Sequence, residues 1–276
     1  VQVAYMANGD RARVDEALSG LWHAGVRNAP VFLPFRDVYT STLKHALIRW
    51  GEEETTGALV SLIRRFRPEV IVTHDLNGEY GHGAHMATAF CTVDAVPLAA
   101  HEAAFPDSAA AYGAWQAQKL YLHLYAENRI TMDWNRPLAS FGGKTALTVA
   151  NEAYHMHVSQ LEYHGNVYGA GKYSSLEYGL AFSAVGPDEA KDDFFEHIDP
   201  ARLSGYAAPT PELAAAPTPE PAPAPAREPS PAPEMEAPTE TKPSALPLPA
   251  LIPLALIAAA AVAALLRRRK RRKNGA

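Results

Sequence analysis

The densest cluster of reactive side chains runs His74-Asp75-Leu76-Asn77-Gly78-Glu79-Tyr80-Gly81-His82-Gly83-Ala84-His85. His82 and His85 are three apart at what reads as a helix start, a spacing that sets both imidazoles on one side of the first turn. Neutral imidazole is the commonest metal ligand, and a catalytic zinc takes three protein ligands plus a water. An isolated pair of this spacing is more often two partly exposed histidines. Here it follows a glycine-rich loop at the end of an apolar strand, which favours metal chemistry. His74 and Asp75 read as residues that orient the loop or the groups that touch the metal.

The elements around this cluster alternate. Val1–Met6 is a β-rich run ending in a turn signal at Asn8-Gly9-Asp10. Over Arg11–Ala24, apolar Val14, Ala17, Leu18, Leu21 and Trp22 fall on one helix face, with Gly25 as its C-cap. Val31–Leu33 is a second strand. Glu52–Arg67 is a helix stopped by Pro68, and Val70–Thr73 is a buried strand. Gln118–Tyr125 alternates as a further strand, Asn151–Tyr163 reads as a helix, and 165–200 carries no assigned element. Such alternation implies an α/β fold with a parallel sheet, whose ligands gather at the carboxyl ends of strands. The segments after Met6, Leu33 and Thr73 therefore form the expected active edge.

The string Thr73-His74-Asp75-x-x-Gly78-Glu79-Tyr80-Gly81-His82-x-x-His85 closely resembles the second signature of PIG-L (LmbE-like) deacetylases. Arg13-x-x-Glu16, Phe35-Arg36-Asp37 and His157-Val158-Ser159-Gln160 resemble further family segments in order and spacing, over roughly residues 1–165. The resemblance implies a Rossmann-like, mostly parallel sheet flanked by helices, with Zn2+ removing acetyl groups from N-acetylglucosamine-type amines. It makes His85 a zinc ligand. His82 becomes the group that stabilises the tetrahedral intermediate and protonates the leaving amine, and Tyr80 a donor to the carbonyl or oxyanion. Arg13 and Asp37 become sugar-binding residues. The family's first signature, His-Pro-Asp-Asp-Glu, supplies two further ligands and the general base, and the string does not occur in this sequence. The chain is therefore expected to lack the first strand with that motif, and to hold zinc below stoichiometry through His85.

Other residues have blander readings. Arg13 and Glu16 also suit a helix-surface ion pair, and His123 reads as packing beside its strand. His155 and His157, two apart, cannot face one site together on a helix. His157 and Gln160 read as structural, and Cys91 as a small buried residue of the helix after His85.

Beyond residue 206 the composition changes. All 11 histidines lie before it, and 12 of the 37 residues from Pro209 to Ala245 are proline. Such a Pro/Ala/Glu segment cannot bury a core, so residues 207–245 are expected to be a disordered linker. Leu246–Leu266 is 21 residues without a charge, the length of a membrane-crossing helix, and Arg267–Lys273 is uninterruptedly basic. The positive-inside rule makes 246–266 a transmembrane helix, 267–276 a cytoplasmic tail and 1–206 an extracellular catalytic domain. Without those seven basic residues the chain holds 18 basic against 30 acidic residues, with no basic face for nucleic acid. The expected protein is a membrane-tethered, zinc-dependent N-deacetylase of an amino sugar or amino-sugar-containing glycan. The alternatives are an amidase acting on a cell-wall glycopeptide and a non-catalytic glycan-binding surface protein.

Overall fold

The computed structural model describes residues 1–7, 11–162, 165–167 and 169–203. The turn at Asn8-Gly9-Asp10, the linker, the apolar run and the basic tail lie outside the described residues. No described helix is long and apolar enough to cross a membrane.

Strand β1 (Ala4–Ala7) leads to helix α1 (Arg11–His23) and strand β2 (Val31–Phe35); helices α2 (Leu43–Trp50) and α3 (Glu52–Phe66) follow. Local chemistry fixes their ends. Thr42 caps α2 by accepting from the His45 N–H. Glu52, Glu53 and Glu54 fill the first turn of α3 and Arg64 and Arg65 its last, so the charges complement the helix dipole. Pro68 then forbids continuation, and strand β3 (Val70–Thr73) begins.

Helix α4 (Gly83–Ala99), α5 (Pro106–Tyr112), strand β4 (Lys119–His123) and the short β5 (Ile130–Thr131) come next. Helix α6 (Ala146–Tyr154), strand β6 (Glu177–Ser183) and α7 (Pro200–Leu203) complete the described chain. The helix expected over 151–163 is corrected: it starts earlier and ends at Tyr154, and Val158–Gln160 is a separate 3-10 turn. Thr145 caps it from the N-terminal side through the Thr148 N–H, a start signal that precedes the apolar pattern.

The strands form two sheets. β1 and β2 pair in parallel, while the second sheet has the order β3-β4-β6-β5. β3 and β4 are parallel, with Thr73 opposite Leu122, whereas β6 runs antiparallel to both β4 and β5. The expected single, mostly parallel sheet is thus corrected to a mixed α/β arrangement. β6 runs opposite in direction to both β4 and β5 and is inserted between them, so each of its pairings is antiparallel.

The core lies between the strands and α2, α3 and α4, with Ala46, Val60, Ala87, Cys91, Ala95, Leu120 and Leu122 fully buried. Arg64 is buried as well, and its guanidinium donates to the carbonyls of Leu98 and Ala99, closing the C-terminal end of α4. Burial pushes the Cys91 thiol up to about 11. The thiolate is the reactive form, so a thiol reagent at pH 8 is expected to label Cys91 only after denaturant unfolds the chain. Rapid labelling of the native protein would contradict this burial.

Candidate active site

The carboxyl end of β3 and the start of α4 meet at an open cavity of about 620 Å3. It runs between β1 and β3, each of which pairs on one side only among the described residues. The loop from β3 to α4 shapes its floor. Asp75 accepts from the backbone and side-chain amides of Asn77, closing an Asx turn. Gly78 follows at φ 68°, where a Cβ would collide with the His82 carbonyl, so the chain can double back only with glycine here. That reversal turns the Glu79 side chain inward.

Glu79 is the centre of the site. Its Oε1 accepts from the Asp75 N–H at 3.1 Å and lies 2.8 Å from His123 Nδ1. Its Oε2 lies 2.8 Å from His74 Nδ1 and 2.9 Å from His85 Nδ1. The His85 approach is off the N–H direction, so this buried nitrogen has close ionic contact but no hydrogen bond. The His74 and His85 rings stack at 4.3 Å, 5° from parallel. Burial pushes the Glu79 carboxyl up, but the bonds from His123 and His74 and the close approach of His85 outweigh it and hold the group well below the usual carboxylate range. Both ring nitrogens of His123 face acceptors, Glu79 and the Ser174 carbonyl, an arrangement satisfied by the imidazolium. Burial opposes that charge, yet the two bonds raise the His123 pKa.

His74, Glu79 and His85 each offer a ligand atom, all within 4.8 Å of one another. Two imidazoles and a carboxylate suit zinc, and a second buried nitrogen without a hydrogen bond, His82 Nδ1, stands beside that of His85. The residues present therefore fit a divalent metal. His82 N-caps α4, its ring 4.7 Å from that of His85. Burial and the neighbouring His85 lower its pKa, with Asp37 acting in the opposite direction.

The wall facing this group comes from α1 and the segment after β2. Asp37 and Arg13 both line the cavity. Gly83 holds the Asp37 segment in place: its N–H donates to the Thr40 carbonyl at 2.6 Å, and a Cβ would collide with the Thr42 carbonyl. Gly83→Ala is therefore expected to push that loop from α4 and weaken substrate binding, seen as a raised KM with metal content unchanged.

Four of the five expected site residues, Arg13, Asp37, His82 and His85, thus line one cavity. Tyr80 is not among the cavity-lining residues. At φ 59° its side chain turns outward, half-exposed, with its ring against Tyr173 at 4.7 Å. Arg13 and Glu16 are more than a surface pair. Arg13 donates to Ser159 Oγ at 2.9 Å, and Glu16 accepts from the Ser159 N–H and Oγ, which tie α1 to the 158–160 turn. The Ser159 bonds lower the Glu16 pKa. His157 lines the cavity as well.

The reading of His123 as packing beside its strand is corrected, since β4 delivers it to Glu79. The available signal was position: His123 follows Leu122, which pairs with Thr73, so His74 and His123 leave neighbouring parallel strands at the same end. Glu79 itself stood inside the quoted signature without an assigned role.

Comparison with known proteins bears on the same segment. Residues 2–96 match the family model described as PIG-L: GlcNAc-PI de-N-acetylase. Three similar proteins are each named 1D-myo-inositol 2-acetamido-2-deoxy-alpha-D-glucopyranoside deacetylase. That of Mycobacterium leprae is 40% identical over 77 residues, 27% of this chain and 25% of the relative. That of Segniliparus rotundus is 34% identical over 121 residues, 44% and 35% respectively. That of Rhodococcus erythropolis is 39% identical over 119 residues, 40% and 38% respectively. The matched segments thus span well under half of these relatives' own length. The segment that matches the family model contains Arg13, Asp37, His74, Glu79, His82 and His85; His123 lies beyond it.

Proposed function

We propose that this cavity removes the N-acetyl group from an N-acetylglucosamine-type amino sugar or its conjugate, with zinc as the cofactor. The observation that carries the reading is the placement of His82 and His85 across one cavity from Arg13 and Asp37, within the segment that matches the PIG-L model. The relatives' printed names give the substrate class: an N-acetylated glucosamine joined to inositol.

Each residue has a chemical task. Arg13 presents a guanidinium already aimed by Ser159, and Asp37 a carboxylate; together they can take up sugar hydroxyls as donor and acceptor. His85 is the residue that would hold the zinc, and it belongs to a group of side chains able to take up a metal ion. A bound zinc would polarise the amide carbonyl and lower the pKa of its water. His82, beside His85 and with a buried nitrogen free of hydrogen bonds, is placed to meet the developing oxyanion and return a proton to the leaving amine. The apolar run 246–266 with its basic flank would further put residues 1–206 outside the cell on the Pro-rich linker, and protease added to intact cells is expected to release them.

The test is release of free amine from the inositol-linked N-acetylglucosaminide by the zinc-supplied protein. Amine release is expected, and Arg13→Ala is expected to raise KM on the order of 10-fold, the loss of one hydrogen bond to a charged group. Saturable binding of the sugar with no amine formed would overturn the reading in favour of a glycan-binding module.

A further inference from the structure

We propose that a second cavity, adjoining the first at Asp37 and Trp50, is a subsite for the group joined to the amino sugar, and that it takes a sugar ring carrying one carboxylate. The inference rests on the deacetylase reading above and adds the chemical class of the substrate's other half.

The second cavity has a volume of about 520 Å3, within the range of small-ligand sites. It lies between the segment after β2 and the last turn of α2. Asp37 and Trp50 line both cavities, so a molecule whose amino sugar is held at Asp37 can continue into the second. Tyr39 of the second cavity also reaches the first: its ring stands edge-on to His82, with centroids 5.9 Å apart.

The charge of the wall selects the occupant. Arg27, Arg64, Arg67, Arg129 and Arg202 each donate to a carbonyl or a carboxylate. Arg36 and Arg49 both line the second cavity, and neither guanidinium has a hydrogen-bond or ion-pair partner among the described residues. A guanidinium is a planar fork of donors that matches a carboxylate through two parallel bonds. Against the two guanidinium groups stands the Asp37 carboxylate, which leaves the wall one net positive charge. That balance fits a singly charged group better than a phosphomonoester, which carries close to two negative charges near neutral pH.

The two arginines are mounted on a shared support. Trp50, buried and next to Arg49, donates from Nε1 to the Arg36 carbonyl at 2.8 Å, and its ring lies against Phe35 at 5.3 Å. One side chain thus ties together the two stretches of backbone that carry the guanidinium groups. Tyr39 supplies what a sugar ring needs besides charge. It is 99% exposed, an aromatic face left to solvent with a hydroxyl at its tip, suited to the C–H face of a pyranose and its hydroxyls.

The experiment compares two N-acetylglucosaminides on the zinc-supplied full chain, one of glucuronic acid and one of glucose. They differ only at C6, carboxylate against hydroxymethyl. The readout is the ratio of their kcat/KM values, in which the neutral substrate controls for folding and metal content. The acid glycoside is expected to be favoured on the order of 10-fold, through KM, the worth of hydrogen bonds to a charged group. Arg36→Gln and Arg49→Gln should each bring the ratio toward one, Arg49→Lys should retain more of it than Arg49→Gln, and added salt should erode it. A ratio of one on the parent, or a parental ratio in the double variant Arg36→Gln/Arg49→Gln, would overturn the subsite. A higher kcat/KM for a phosphodiester-linked counterpart than for the glucuronide would overturn the carboxylate. If neither glycoside releases amine, the deacetylase reading falls, and equilibrium binding decides the subsite alone. Tighter binding of the acid glycoside, lost in Arg49→Gln, would then uphold it, and equal binding of the two would overturn it.

Discussion

Replacing His82 by alanine is expected to leave the metal content unchanged and to lower turnover on the order of 10²–10³-fold, the usual cost of removing an oxyanion donor or general acid. The separation of effects comes from geometry. His82 is outside the group of donors that converge with Glu79 Oε2, yet its ring is 4.7 Å from that of His85. A residue in that position can touch the reacting carbonyl without touching the ion. His85→Ala should instead lose both metal and turnover. Tyr80→Phe should change turnover little, since the ring it carries packs against Tyr173 outside the cavity wall. Zinc content and amine release measured side by side on the three variants decide the matter. If His82→Ala loses zinc while His85→Ala retains it, the two roles are interchanged.

Lys119→Met is expected to destabilise the domain by about 3–5 kcal/mol, the cost of leaving one member of a buried ion pair without its partner. Lys119 and Asp188 are both fully buried and paired, and Tyr121 donates to the second Asp188 oxygen at 2.6 Å. Burial pushes the Tyr121 pKa up and the Asp188 carboxylate pushes it further, so the hydroxyl remains a donor. For a domain of this size the loss corresponds to a fall in Tm of roughly 6–20 °C, read by thermal unfolding. Lys119→Met combined with Asp188→Leu should recover much of it, because no charge is then stranded. A melting temperature unchanged by Lys119→Met would show that Asp188 is not held as a charge. The pin has a functional side. It fastens the segment after β6 onto β4, the strand that ends in His123, and Phe194 of that segment packs on both Tyr121 and Tyr178.

How much of this was legible in the sequence depended on the range of the contacts involved. The strand Val70–Thr73 was read with its exact ends, because four apolar or β-branched residues sit between Pro68 and a polar loop. Helices α1 and α3 were read to within a residue, since their apolar spacing and stop signals are local. β6 was not found. Glu177-Tyr-Gly-Leu-Ala-Phe-Ser183 alternates weakly, and Gly179 in its middle looks like a breaker. The structure explains that glycine: a Cβ there would collide with the Tyr125 carbonyl, so it marks a close backbone approach within a strand. The histidine pair, Arg13 and Asp37 were legible as residues of one site through the signature and the order of the segments around it. The convergence of His74, Glu79 and His123 was not, because it exists only once Thr73 is set opposite Leu122. No local pattern encodes that register.

The division of the strands into two sheets bears on motion. Arg13 and Asp37 belong to the part built on β1 and β2, whereas His82, His85 and Glu79 belong to the part built on β3. Described strands share no ladder across the cavity, and the parts are joined by packing of α1 on α6 and α2 on α4, by the Gly83–Thr40 bond and by the bonds of Arg13 and Glu16 to Ser159. Side-chain packing shears more readily than a hydrogen-bonded sheet shifts register. The cavity width is therefore a soft coordinate, and a sugar gripped by Arg13 and Asp37 would draw its acetamide toward the histidines by closing it. In amide hydrogen exchange, β1 and β2 should open at a lower free energy than β3 and β4, as separate cooperative units. A bound amino sugar should narrow that gap by slowing exchange in the first pair more than in the second.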